Sequence, residues 1–330
     1  MKLISFFSHL YKHIKNCEYD FIRFRNYSAY RKIDSIGKLM PLIQWDAHII
    51  EKGLSLESPR PFFGISVFER ISERLELYIK LGGNIHAEQI QAVLDVLISY
   101  KKFNQSFITP HICQKHLEVI EKVNDLITKY QVTGYPVFGG TIEYSKEEFN
   151  RQAKGDWISL SQSRFSMRHF TGEKISAEAI EQAVNLSRKT PSVCNRQSVR
   201  VSVVINDEKI QNILAIQGGA GGFKEKVAAL LIVCGDLNSF SLVNERNQVF
   251  IDIGFFSMSL LYSFHYLGYG ACPLHWFFGK KQDTMLRKII DIPPSWTVGN
   301  LIVVGCIPDK FKVPMGHRLP LSQILKYDQK

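Results

Sequence analysis

Arg164-Phe165-Ser166-Met167-Arg168-His169-Phe170 is the stretch on which the reading of this chain turns. In an extended segment side chains alternate, so Arg164, Ser166 and Arg168 would project to one side and put two guanidinium forks and a hydroxyl in one patch. Such a patch suits a phosphate with a polyol attached. Taken alone, the same spacing also describes a solvated basic surface, so its surroundings must decide.

Downstream the sequence alternates between two periodicities. Residues 199–205, 227–234 and 298–305 are β-branched, apolar runs of strand length. Helical segments separate them at 177–189 behind Ser176, about 208–216, about 243–267 and about 281–290. This pattern predicts a central sheet flanked by helices, an α+β domain. Upstream the chain reads as helical. Val67, Ile71, Leu75 and Tyr78 recur at helical spacing and stop at Gly82-Gly83; Ile90, Val93, Leu94, Leu97 and Ile98 repeat the pattern. Thr109-Pro110 reads as an N-cap with proline in the first turn of a third helix, which runs through Ile112, His116, Val119, Ile120, Val123 and Ile127. The turn-rich run from Gly134 to Gly140 places a boundary, giving a helical N-terminal region over 1–140 and a sheet-bearing domain over 141–330. Ser145-Lys146-Glu147-Glu148 has the form of a capping box and opens a helix ending near Gly155.

With 330 residues, 45% hydrophobic and 22% charged, the chain fits a globular class and excludes fibrous repeats and disorder. The net charge of +10 raises the question of an anionic partner. The first forty residues hold Lys2, Lys12, Lys15, Arg23, Arg25, Arg31, Lys32 and Lys38 against Glu18, Asp20 and Asp34, interleaved with Phe6, Phe7, Tyr11, Phe21, Phe24 and Tyr30. The favoured reading is a basic helix packed on its own protein, with Lys and Arg stems covering apolar surface; peripheral contact with an anionic membrane is the alternative. No nucleic-acid partner is expected. Cys17, Cys113, Cys194, Cys234, Cys272 and Cys306 form no close pair, which argues for a reducing compartment and against a disulfide framework. No cleavage site follows the short apolar N-terminal run, so no signal peptide is read and a cytoplasmic location is expected. Residues 253–279 carry no Asp, Glu, Lys or Arg and are long enough to cross a bilayer. Ser257, Ser259, Ser263 and His265 interrupt the apolar face, and Gly268 to Pro273 would end a helix near Leu267, so a buried helix is expected.

The loop after the Ser176 helix, Thr190-Pro191-Ser192-Val193-Cys194-Asn195-Arg196-Gln197, is rich in side-chain amides that both donate and accept. Those groups match the pyrimidine edge and ribityl chain of a flavin. In order, these segments resemble the FMN-dependent nitroreductase family, with its R-x-S-x-R-x-F signature followed by P-S-x-x-N-x-Q. The resemblance continues through Leu267-Gly268-Tyr269-Gly270 and Gly305 to Arg318-Leu319-Pro320-Leu321, about half of the chain. It implies a nitroreductase-like mixed sheet flanked by helices, FMN as cofactor and a homodimer with the flavin at the subunit interface. NAD(P)H would reduce flavin N5, and the flavin would pass electrons to a small-molecule substrate. Residue by residue, it implies that Arg164 and Ser166 contact the phosphate and ribityl chain, and that Arg318 reaches the same phosphate. Arg168 would offset charge at flavin N1, Asn195 and Gln197 with Pro191 and Ser192 would contact the flavin, and Pro273-Leu274 would approach its reactive edge. No side-chain nucleophile is required.

The chain also departs from the family pattern. Phe165 stands where many relatives have a basic residue, Ser198 replaces a proline that commonly follows the glutamine, and Gly316 occupies an often basic position. Cys272-Pro273-Leu274-His275-Trp276 is bulkier than the Gly-containing sequence common there. Gly218 to Gly222 precedes a strand, whereas a dinucleotide fingerprint follows one, so it reads as a loop. Cys272 and His275 have ligand-like spacing without a second pair, so no metal is expected. In the N-terminal half His48 and Glu51 lie one turn apart, either as an acid/base pair beside the flavin or as a salt-bridged helix end held by Gly53. The arrangement from His48 to Leu54, followed by Arg60 to Gly64, is also similar to one that accompanies nitroreductase-like domains associated with surface-polysaccharide synthesis, which is the pathway the resemblance implies. Two rivals stay open: a flavin-dependent oxidase or dehydrogenase on the same fold, and a non-catalytic scaffold docking through its basic N-terminus.

Overall fold

The helical spacing of the first half is realised as α1 (Lys2–Tyr27), α2 (Ile36–Leu54), α3 (Ile65–Lys80), α4 (Glu88–Gln105) and α5 (Gln114–Tyr130) in the computed structural model, which describes residues 2–27, 29, 32–108, 113–130, 137 and 139–328. The expected Thr109-Pro110 helix start and most of the 134–140 turn lie outside the described residues. Next come β1 (Thr141–Ser145), α6 (Lys146–Ala153), α7 (Trp157–Gln162), α8 (Ala177–Ser187), β2 (Val199–Val204), α9 (Asp207–Gln217), β3 (Ala229–Asp236) and α10 (Gln248–Tyr266). The chain ends through β4 (Gly270–His275), α11 (Lys280–Ile289), β5 (Trp296–Gly305), β6 (Lys310–Pro314) and α12 (Leu321–Ile324). The capping serines behave as the sequence predicts: Ser145 Oγ accepts Glu148 N–H at 3.1 Å and Ser176 Oγ accepts Ala179 N–H at 3.2 Å.

The chain forms two compact units, Met1–Glu18 with Glu143–Phe311 and Tyr19–Ile142 with Lys312–Lys330. The helical unit buries Leu39, Ile43 and Ile50 of α2 against Phe68 and Ile71 of α3, Leu94 and Tyr100 of α4 and Val123 of α5. Asp46, buried on α2, pairs with Arg70 at 2.8 Å and with Arg74. The C-terminal segment, expected with the sheet, groups with these helices through specific bonds. Met315 N–H donates to Gly140 O at 3.0 Å, Gln89 Nε2 to Gln323 Oε1 at 2.8 Å, and His317 Nε2 lies 3.8 Å from Glu88. On α1, Phe7, Tyr11, Ile14 and Phe21 are exposed.

The other unit is built on a four-stranded sheet in the order β2-β3-β5-β4, antiparallel throughout, with Ser166 added to Ala271 of β4 by an isolated parallel bridge. β1 and β6 pair separately as a two-stranded sheet. Strand β4 was not legible, because Gly270-Ala271-Cys272-Pro273 reads as a turn. It is an edge strand, where a proline without an N–H is tolerated.

Helix α10 lies on this sheet and on α8. By length and composition it passes the test for a membrane span, yet half of the apolar window is buried within the protein. Its Val249, Ile253, Leu260 and Phe264 pack with Leu231, Val233, Ile302 and Val304 of the strands. Two glycines set how closely it approaches. A Cβ on Gly235 would meet Val249 Cγ2 at 2.2 Å, and one on Gly299 would meet Ile253 Cγ2 at 2.5 Å. Replacing either glycine by alanine is therefore expected to destabilise the unit by about 1–3 kcal/mol, as overpacking does, read as a lower urea midpoint at unchanged m-value.

Candidate functional site

The polar residues of the opening motif follow α7 on a segment that runs beside β4. Met167 N–H donates to Ala271 O at 2.9 Å, and the side chains of Met167 and Phe170 are fully buried. Gly305 leaves room for Phe170, whose Cδ1 would stand 2.8 Å from an added Cβ. Strict alternation is not kept, since Arg168 is buried next to Met167 while Arg164 and Ser166 are half-buried. Arg168 Nη1 lies 3.4 Å from Ser166 O, and Phe165 rests against Tyr144 with ring centroids 5.2 Å apart. On β4 itself Pro273 is exposed and Leu274 buried. Arg164, Ser166 and Arg168 are thus brought to the same sheet edge as Pro273-Leu274.

The amide loop is held in an uncommon conformation. Cys194, Asn195 and Gln197 have φ of 48°, 53° and 50°, the left-handed region that residues other than glycine seldom occupy. Such a conformation persists only where neighbouring bonds over-determine it. Here Thr190 Oγ1 donates to Ser187 O at 2.7 Å and shares a hydrogen bond with Ser259 Oγ at 2.6 Å, and Gln197 N–H donates to Ser192 Oγ at 2.9 Å. Arg196 pairs with Glu245 at 2.7 Å and donates to Ser239 O. From α10, Asp252 Oδ1 accepts Val193 N–H at 3.3 Å and Oδ2 accepts the Ser198 hydroxyl at 2.9 Å. A proline at 198 would push Gln197 toward extended backbone; serine permits its left-handed φ. Asn195 and Gln197 are exposed, and Pro191, Ser192 and Gln197 line a cavity of about 520 Å³ together with Asp252 and Phe256. Asp252 is the site residue that sequence reasoning missed. Its signal was present: in the sequence of α10 it is the one carboxylate.

These two groups do not meet within one chain. The strand order puts the loop's entry into β2 at one edge and the Arg164–Arg168 segment beyond β4 at the other, four interstrand spacings or about 19 Å apart. Register separates them along the strands too. Ala271 stands opposite Val304 and Val304 opposite Ala229, whereas Val199 stands opposite Gly235, roughly 20 Å further along β3. They occupy diagonal corners of the sheet, so the two donor groups stand apart within one chain. Arg318 falls in the helical unit, where its Nη1 donates to Gly316 O at 2.6 Å.

The donor chemistry of each group fits part of a phosphorylated flavin. Two guanidiniums and a hydroxyl suit the phosphate and polyol, and two exposed amides suit the pyrimidine edge. Elsewhere, Glu51 is buried with Oε1 accepting Gly140 N–H at 3.0 Å and Oε2 3.7 Å from His48 Nδ1. Helix α2 continues past Gly53, against whose position the Phe63 ring packs, so this glycine serves close packing. Cys272 is buried, whereas His275 is exposed and stacks on Phe277 at 3.7 Å. Among the described residues no group of three or more His, Cys, Asp or Glu could hold a metal ion.

Comparison with known proteins agrees with the motif reading. The Nitroreductase family model matches residues 162–233, which span the Arg164–Arg168 segment, α8, the amide loop, β2 and most of β3. Among solved structures, the chain resembles a protein from Exiguobacterium sibiricum assigned as a nitroreductase and solved in complex with FMN, at 19% identity and a TM-score of 0.46 over 53% of this chain and 98% of that one. It also resembles an FMN-dependent nitroreductase from Clostridium difficile, at 16% identity and a TM-score of 0.43 over 52% of this chain and 99% of that one. No curated protein matches the sequence. The match to the Nitroreductase family thus falls on residues 162–233, in the part of the chain that follows the helical region.

One buried group in this half has a titration that can be followed. His265 of α10 lies 2.8 Å from Ser163 Oγ and edge-on to Phe149. Burial, reinforced by the Arg164 charge, pushes its pKa from 6.5 down to about 4. The folded protein therefore holds His265 neutral while the unfolded chain takes up the proton first. The stability this contributes is complete above pH 6.5 and is lost as pH falls toward 4, by about 3 kcal/mol in all. Urea midpoints between pH 7 and 4 should fall less steeply in His265→Gln than in the parent; parallel slopes would rule the histidine out as a source.

Proposed function

We propose that this chain is a cytoplasmic, FMN-dependent oxidoreductase that works as a homodimer and shares each flavin site between two subunits. Reducing equivalents come from NAD(P)H and go to a small organic acceptor. The observation that carries this reading is the diagonal separation of two donor groups, each suited to a different part of one flavin, within a domain that matches the Nitroreductase family. A second copy supplies at each corner what the first lacks.

In this reading Arg164 and Ser166 hold the phosphate and ribityl chain through charge-assisted and hydroxyl bonds. Asn195 and Gln197 of the partner subunit, presented by the Pro191-Ser192 loop, orient the pyrimidine edge. Bound FMN would supply two-electron hydride chemistry. Arg168, buried at the sheet edge, offsets negative charge where the ring gains it, and a fixed cation there costs no reorganisation. Pro273 and Leu274 limit access to the reactive edge, and the bulky His275-Trp276 that follows narrows the space for the acceptor.

Co-expression of two defective chains tests the shared site. Arg164→Ala with Arg168→Ala, and Asn195→Ala with Gln197→Ala, should each fail to retain FMN as homodimers. Random pairing of the two places one intact site in each mixed dimer, so about a quarter of parental flavin content should return. Recovery of none would refute subunit sharing. Arg168→Ala alone should lower the flavin midpoint potential, by potentiometric titration, and rapid bleaching by NAD(P)H in stopped flow should separate this reading from an oxidase fed by an organic substrate.

The exposed apolar positions Phe7, Tyr11, Ile14 and Phe21 of α1 favour a second reading of where the enzyme works, at an anionic membrane surface. Sedimentation with vesicles containing phosphatidylglycerol should carry the protein down at low salt, and Phe7→Ser with Tyr11→Ser and Ile14→Ser should leave it in the supernatant.

A further inference from the structure

The geometry points to Asp252 as a positioning residue that holds the amide loop in the conformation in which it meets the cofactor. This inference rests on the flavin reading above.

Helix α10 is mostly apolar, and Asp252 is the one carboxylate in its sequence. The residue is 1% exposed. A buried carboxylate costs free energy unless its oxygens are satisfied, and an apolar residue of similar size would often leave the fold as stable or more so. Its retention here therefore needs a reason beyond packing. The bonds it makes supply one. Oδ1 accepts Val193 N–H at 3.3 Å and Gln248 Nε2 at 3.0 Å, while Oδ2 accepts the Ser198 hydroxyl at 2.9 Å. Val193 and Ser198 bracket the three residues with left-handed backbone, Cys194, Asn195 and Gln197. One carboxylate thus ties both ends of a strained turn to a helix whose depth is set by Gly235 and Gly299. Gln248, one turn before it on α10, orients the carboxylate through Nε2.

A loop released from this clamp would relax toward ordinary negative φ, and the directions of the Asn195 and Gln197 side chains would change with it. The cofactor would then have to reimpose the strained geometry on binding, which lowers affinity by the population of the competent conformer. In the intact protein the clamp meets that cost during folding.

Three variants of the full-length protein separate positioning from packing. Asp252→Asn keeps the shape and one acceptor oxygen, and its Nδ2 can donate to Ser198 Oγ once the hydroxyl turns; its FMN Kd should stay close to the parent's. Asp252→Leu should keep or raise the thermal midpoint yet weaken FMN binding about tenfold. Asp252→Ala should weaken binding equally and speed amide hydrogen exchange at residues 193–198. Parental FMN affinity in Asp252→Leu, or unchanged exchange in Asp252→Ala, would overturn the assignment. Should the parent itself fail to bind FMN, the flavin reading falls, and the exchange measurement still decides whether Asp252 clamps the loop.

Discussion

The depth at which α10 sits on the sheet is the constraint on which the sheet-bearing unit depends. Two strand positions without side chains, Gly235 and Gly299, admit Val249 and Ile253 to within contact of the backbone. From that depth one helix reaches the segments that carry the first two motifs. Asp252 holds the amide loop, Ser259 bonds the Thr190 hydroxyl, Ser263 bonds Ser187 at the end of α8, and His265 bonds Ser163 just before Arg164. The four positions are spaced along one rigid element, so a shift of the helix would disturb both donor groups together.

The same positions explain why the helix is not uniformly apolar. Ser257, Ser259, Ser263 and His265 looked in the sequence like interruptions that argue against a membrane span. In the structure three of the four bond to segments outside the helix that lead into or out of the site, and Ser257 is paired with Asn300 of β5 at about 3 Å. Polar groups inside an apolar helix cost desolvation unless partnered, so each of these marks a fixed connection. A helix that only filled a core would have no use for them.

Local signals made most elements legible: the Ser145 and Ser176 caps, the Gly82 stop after α3, and the β-branched runs of β2, β3 and β5. Strand β4 was missed because its residues carry turn propensity and its pairing is non-local, with β5 as partner. The site was legible as chemistry and not as geometry. Arg164, Ser166, Arg168, Asn195 and Gln197 could be named from spacing, but strand order, which puts them at diagonal corners, depends on long-range pairings that no short window contains. Asp252 escaped for a related reason, since its partners Val193 and Ser198 lie more than fifty residues upstream.

Charge placement in this half follows from the same arrangement. Arg164 is close enough to His265 to oppose its protonation, and burial acts in the same direction, so the imidazole stays neutral across the physiological range. A protonated His265 would set a second positive charge beside Arg164 in a poorly solvated region, where like charges repel more strongly than in water. The neutral ring instead bonds Ser163 and meets Phe149 edge-on, which fixes the residue immediately before Arg164 without adding charge.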